Sequence, residues 1–316
     1  MRFARFRIDD TEVIAAAAEG GAWVPVGDLV PQAPGDMLAL LDSWPELKVR
    51  AEEALASGEW HALPGNAEPL LPFRPASVRD FMLSETHAVE AARGYLRRFK
   101  PGLLKVVNGW ERLTRSTFPG LKPKPLWYRQ PVYYLTNHLN VVTDGAIIDW
   151  PDYTEALDYE LELAFVITKP LLNATRREAE AAIGGFLILN DFSARDVQLE
   201  EMKSGFGPQK CKHFVNALSA SVATADDILP RIDTVKGEVR INGERIVECR
   251  NSDLQHDAAD ILIHVSRAEQ LHAGEVFGLG TMPGGCGMEN GRWLARGDAI
   301  ELAVEGIGRL TNTVAD

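Results

Sequence analysis

At 316 residues, with 46% hydrophobic and 25% charged side chains, the chain has room for one large globular domain, or a medium domain plus a small one. Its formal net charge of -12, with no lysine or arginine block, argues against nucleic acid and anionic membranes as partners. No apolar run approaches the roughly 18 residues of a membrane span, the opening MRFARFRIDD lacks the apolar core of a signal peptide, and three scattered cysteines argue against a disulfide framework or a thiolate zinc site, so a cytoplasmic protein is expected.

Residues 2–7 alternate like an edge strand, and Ala22 to Val26 could pair with it after Gly20-Gly21. Met37 to Trp44 and Pro45 to Ala56 read as two short helices, and a proline-rich run to Pro75 closes a small N-terminal domain, 1–75, ahead of a larger one, 76–316. Ser77 to Phe99 is the longest helical pattern, closed by Lys100-Pro101-Gly102. Asp80 and His87, seven apart, would lie near one face of it.

Leu157 to Thr168 (LDYELELAFVIT) alternates as a strand, with Tyr159, Leu161, Leu163 and Phe165 on one face and Asp158, Glu160, Glu162 and Ala164 on the other. Two glutamates two residues apart on one strand repel each other, and a bound cation is the simplest remedy. An apolar strand over Phe186 to Leu189 delivers Asn190 and Asp191. Ser193 to Asp196 has the form of a capping box, opening a helix on which Arg195, Gln198 and Met202 share a face. Carboxylates, an arginine and an amide are oxygen-type chemistry suited to a hard divalent cation.

Further on, Asn242-Gly243 predicts a hairpin, Asp260 to Gln270 a helix, Val276 to Thr281 a strand ending in a glycine-rich loop, and Ala299 to Val314 a closing hairpin. Glu289 after that loop could orient a histidine or simply be solvated. Lys212 could balance nearby acids or hold a developing negative charge. Many short strands and few helices predict a compact, β-rich α+β fold, not a doubly wound sheet, and no dinucleotide, P-loop, nucleophile-elbow or H-E-x-x-H motif is present.

Asp80…His87, L-D-Y-E-L-E-L-A, N-D-F-S-A-R-D-V-Q, G-P-x-K-x-K-x-F, G-L-G-T and the final G-D-x-I-E-L-x-V-E-G-I-G resemble the fumarylacetoacetate hydrolase superfamily over roughly residues 77–316. The resemblance implies a mixed β-sandwich or β-roll catalytic domain, commonly in a homodimer, acting on a small 2-oxo or β-diketo acid. It makes Asp80, Glu160, Glu162 and Asp191 ligands of a divalent metal, Mg²⁺ first, with Mn²⁺ or Ca²⁺ as alternatives. It makes His87 the activator of water, Glu289 its orienting acid and Lys212 the lysine of the site, with Tyr134, Arg195, Gln198 and Thr281 at substrate-contacting positions. Met82 and Met202 depart from the tyrosines of fumarylacetoacetase itself, which points to a different β-diketo acid, such as an acylpyruvate. The implied activity is metal-dependent hydrolysis of a carbon–carbon bond. The alternatives are decarboxylation, isomerisation or dehydration of a 2-oxo acid on the same scaffold, and a non-catalytic metal-binding β domain.

Overall fold

A computed structural model describes all 316 residues. The fold is α+β and sheet-rich. Its main sheet runs Trp23–Pro25, Thr11–Ala17, Arg2–Ile8, Ser221–Thr224, Ile183–Asn190, Glu160–Ile167, Glu275–Cys286, Ser77–Phe81, Tyr133–Thr136. A second, five-stranded sheet contains both hairpins expected from the sequence, Lys236–Ile241 with Glu244–Arg250 and Ala299–Val304 with Gly308–Val314. Asn242 and Gly243 both take positive φ, as a two-residue hairpin turn requires. No helix is long and apolar enough to cross a membrane.

The Glu160–Ile167 strand is buried along its whole length, and its alternation divides two cores. Leu161, Leu163, Phe165 and Ile167 pack with Val239, Ile241, Ile300 and Leu302 of the second sheet. Ala164 and Val166 pack on the other side with Leu40, Leu41 and Trp44 of the Met37–Ser57 helix. Phe165 to Ile167 is therefore core, not an interface surface. Each such side chain contributes about 1.5–3 kcal/mol on burial, enough to hold the strand's polar end in place.

Tertiary packing overrides several local expectations. The two short helices are one, Met37–Ser57, running through Pro45, because its apolar face rests on the sheet. Arg2–Ile8 is no edge strand: it lies between Thr11–Ala17, which the sequence pattern did not suggest, and Ser221–Thr224, and it also pairs with Glu68–Leu70. The first 75 residues thus share a sheet and a core with the rest. The glycine-rich loop is strand as far as Cys286, and the Asp260–Gln270 helix is Ala258–Val265. The Glu85–Phe99 helix closes at Lys100, as expected, and a second helix, Pro101–Thr114, which the sequence pattern did not suggest, starts directly after it with Pro101 at its first turn.

Two corrections bear on the site. Ser77–Phe81 is a strand paired with Glu275–Cys286 and Tyr133–Thr136, and the helix begins only at Glu85, so Asp80 and His87 share no helical face. Ser193–Ala194 is a short strand against Leu157–Asp158, and the Arg195–Lys203 helix has no side-chain cap. Asp196 instead accepts from Thr154 Oγ1 at 2.5 Å and Glu155 N at 2.9 Å.

Candidate active site

Three strands of the main sheet, two of them separated by Glu275–Cys286, bring Asp80, Glu162 and Asp191 together. Asp80 comes from Ser77–Phe81, Glu162 from Glu160–Ile167, and Asp191 directly follows Ile183–Asn190. One ligand atom from each lies within 4.8 Å of the others, and all three side chains are buried. The pairing of Glu160–Ile167 with Glu275–Cys286 shifts register on both sides of Glu162, the kind of irregularity that re-aims a side chain. Asp80 Oδ1 and Glu162 Oε2 have no hydrogen-bond partner. At Gly278, on the strand between them, a Cβ would fall 2.4 Å from Asp80 Oδ1 and 2.9 Å from Glu162 Oε2. Orphaned carboxylate oxygens above a missing Cβ form an all-oxygen cradle that fits a hard divalent cation. Burial pushes the Asp80 carboxyl up, and burial with the neighbouring anions pushes Glu162 and Asp191 well above the ordinary range.

Glu160 has the opposite environment. Burial pushes it up, but Arg195 and Lys212 outweigh that and hold it well below the usual carboxylate range. Arg195 Nη2 donates to Glu160 Oε1 at 2.7 Å, and Lys212 Nζ bridges Glu160 Oε2 and Asp191 Oδ2. Tyr134 donates to Asp191 Oδ2 at 2.7 Å, Gln198 accepts from Arg195 Nη1 at 2.9 Å, and Thr281 Oγ1 reaches Glu162 Oε1 at 3.4 Å. Three of the four carboxylates expected to be ligands thus form one cluster, with Glu160 tied to it through Lys212. Met82 and Met202 are exposed, 36% and 53%.

His87 reaches the site from the first turn of the Glu85–Phe99 helix. Ser84 caps that helix by accepting from His87 N at 3.0 Å, and its hydroxyl is gripped in turn by Asp253. The imidazole Nδ1 lies 3.0 Å from Glu289 Oε2, while Nε2 faces Glu160 Oε1 at 4.0 Å. Burial pulls the imidazole pKa down, but Glu289 more than offsets this and raises it above the ordinary histidine value.

The part of the chain that carries most of these residues matches a known family. Residues 111–315 fit the family model described as fumarylacetoacetate (FAA) hydrolase, C-terminal. The chain belongs to the fumarylacetoacetate hydrolase family. It is similar to the human mitochondrial oxaloacetate tautomerase FAHD1, with 29% identity over 182 residues, covering 58% of this chain and 80% of that one. The solved fumarylacetoacetate hydrolase of the psychrophile Exiguobacterium antarcticum matches at TM-score 0.70 and 25% identity, over 100% of this chain and 99% of that one. A 5-carboxymethyl-2-hydroxymuconate delta-isomerase from Mycobacterium smegmatis shares the fold, with TM-score 0.66 and 20% identity over 100% and 99% of the two chains. The proteins this chain resembles in sequence thus carry both hydrolase and tautomerase names, and the delta-isomerase shares their fold.

Two supports in this family member escaped the sequence reading. Asp158, fully buried, accepts from Arg195 Nε at 2.8 Å and from the backbone N–H groups of Gly287 and Met288 at 2.8 and 3.1 Å. It joins the arginine to the helix that carries Glu289, and its place beside Glu160 and Glu162 in the strand alternation was the available signal. Asn216 is the other. With its amide turned, its nitrogen donates to Asp191 Oδ1 at 2.9 Å and its oxygen accepts from Thr136 Oγ1 at 2.6 Å. Nothing in the sequence pattern marked it.

Proposed function

We propose that this enzyme hydrolyses a carbon–carbon bond in a β-diketo acid of the acylpyruvate or fumarylacetoacetate-like class. Asp80, Glu162 and Asp191, with Glu160 at their edge, would hold a divalent cation, Mg²⁺ by the hardness of the donors. Bound there, the cation would offset the clustered negative charge and polarise a chelated 2-oxo acid.

The observation that carries the reading is the buried imidazole held by Glu289 at 3.0 Å, with its other nitrogen turned toward the carboxylates. Glu289 keeps the proton on Nδ1, so Nε2 is the base that takes a proton from water. The hydroxide equivalent adds to the acyl carbonyl, and Lys212 and Arg195 place positive charge beside the oxyanion and the enolate that follows. The carbon–carbon bond breaks, and the enolate carbon regains the proton held by His87. One water is consumed, giving one carboxylic acid and one oxo acid, which is pyruvate when the substrate is an acylpyruvate. The likeness to the Exiguobacterium hydrolase over the whole chain supports the hydrolase reading.

Keto–enol tautomerisation needs the same enolate-stabilising charges and the same proton shuttle but no water, and the human relative favours it as the second reading. Incubation with acylpyruvates and Mg²⁺ separates the two. Equal yields of pyruvate and the cognate acid, without carbon dioxide, are expected. Enol–keto interconversion of oxaloacetate with no cleavage product from any acylpyruvate would overturn hydrolysis.

A further inference from the structure

Spacing along the chain spoke against a thiolate metal site, but the fold brings one cysteine to the dyad. Cys286 is fully buried, and its Sγ lies 3.2 Å from Glu289 Oε2, the same oxygen that His87 Nδ1 meets at 3.0 Å. The imidazole nitrogen, thiol sulfur and carboxylate oxygen all fall within 4.8 Å of one another. We infer that His87, Cys286 and Glu289 form a second metal site, selective for Zn²⁺, whose occupation switches the His87–Glu289 pair off.

The donor set makes the choice. Nitrogen, sulfur and one carboxylate oxygen are zinc ligands, and by ligand softness they discriminate against the hard cation suited to Asp80, Glu162 and Asp191. In a tetrahedral site with bonds of about 2.0–2.3 Å, ligand atoms stand about 3.3–3.7 Å apart, so the two contacts to Glu289 Oε2, at 3.0 and 3.2 Å, need open by only a few tenths of an ångström. Gly284 N donates to Glu289 Oε1 at 3.1 Å and keeps the carboxylate oriented while Oε2 turns to the metal. Three protein ligands leave one position for water, as zinc sites built on three side chains do.

Protons balance simply. Zn²⁺ displaces the Sγ proton, which leaves to solvent, and the Nδ1 proton moves to Nε2 of the neutral imidazole. With metal on Nδ1 and hydrogen on Nε2, His87 has no lone pair for water. The site itself is independent of the hydrolase reading, whereas the inhibition rests on His87 being the base.

The test titrates Mg²⁺-saturated protein with Co²⁺ as a spectroscopic stand-in, then with Zn²⁺, following both absorbance and turnover. A thiolate-to-cobalt charge-transfer band is expected, bleached by one equivalent of Zn²⁺, with inhibition that excess Mg²⁺ does not relieve. In Cys286→Ser the band should vanish, and the Zn²⁺ needed for half-inhibition, relative to the variant's own basal rate, should rise by about 10- to 100-fold or more. Glu289→Gln, with circular dichroism confirming the fold, should weaken the same band. A band that survives Cys286→Ser, hence from Cys211 or Cys249, overturns the site, as does inhibition that Mg²⁺ relieves. A Cys286-dependent band with undiminished turnover overturns His87 as the base and leaves the site standing.

Discussion

Glu160 and Glu162 lie two residues apart on one strand face, yet their amide variants should move stability in opposite directions. Glu160→Gln removes the anion that pairs with Arg195 at 2.7 Å and with Lys212, leaving two buried cations short of a partner. Breaking a buried pair in this way costs about 3–5 kcal/mol. With an unfolding entropy of about 2.1 cal/mol/K per residue, the 316-residue chain loses about 5–8 °C in Tm. Glu162→Gln instead relieves a repulsion. Its Oε2 has no partner, and Asp80 and Asp191 offer oxygens within 4.8 Å. Two unit charges at that separation repel by about 3 kcal/mol at an effective dielectric of 20. Partial protonation already blunts this, so a net gain of about 1–2 kcal/mol, or about 2–3 °C, is expected in chelator. The pH dependence separates them further. Glu162 has a raised folded pKa, so its cost is absent in acid and grows as pH rises from about 4 through that value. Glu160 is depressed, so its contribution is present above about pH 4.5 and is lost as pH falls through its folded value. Differential scanning calorimetry of both variants in EDTA, from about pH 3 to mildly alkaline pH, checks this. Tm shifts of the same sign at neutral pH would refute the division between a paired and an orphaned carboxylate.

Other outcomes follow from the same geometry. Mg²⁺ at a hundredfold excess over its dissociation constant should stabilise the protein by about 2.7 kcal/mol, raising Tm by about 4 °C; Gly278→Ala should abolish that shift in the same melt, because its Cβ fills the cradle. His87→Ala should lower kcat by about 10²- to 10⁴-fold and leave the Mg²⁺-induced Tm shift intact, as measured by steady-state kinetics beside a thermal melt. Glu289 holds the imidazole pKa up, so Glu289→Gln should move the acid limb of the pH–rate profile to lower pH while reducing kcat, and its effect should not multiply with that of His87→Ala. We also propose a homodimer, for which exposed Leu103, Val106 and Leu113 on the Pro101–Thr114 helix offer apolar surface; a monomeric mass in sedimentation at micromolar concentration would exclude it.

What was legible in the sequence was whatever short range encodes. The alternation over Leu157 to Thr168 revealed the central strand and its acidic face, and Asn242-Gly243 revealed a hairpin. The break after Leu189 revealed where Asp191 leaves its strand. What misled was local pattern in segments that long-range pairing decides. Ser77 to Phe81 carries helix-compatible spacing but sits between two strands, and the glycines after Thr281 extend a strand instead of a loop. Asp80 and His87 were singled out by the family resemblance, and the helical face expected to link them does not exist. They lie on opposite sides of Glu160's surroundings, Asp80 with Glu162 and Asp191 and His87 with Glu289, because a strand end and a helix start converge there, with Ser84 capping the helix.

Asp158 carries the argument one step further. An acid that alternates in phase with Glu160 and Glu162 would pass as a further cation ligand, yet each of its partners is a donor: Arg195, Tyr159 N, Gly287 N and Met288 N. Its carboxylate therefore joins two elements distant in sequence, the arginine's helix and the turn that carries Glu289, and so sets the distance between the Arg195 guanidinium and the acid behind His87. A strand's period can show that a carboxylate faces inward. Only the fold shows whether it meets other acids, and then needs a cation, or meets donors, and then acts as the cross-brace. One eight-residue strand and the dipeptide before it supply both kinds here, which is why three acids of one alternating run do three different jobs.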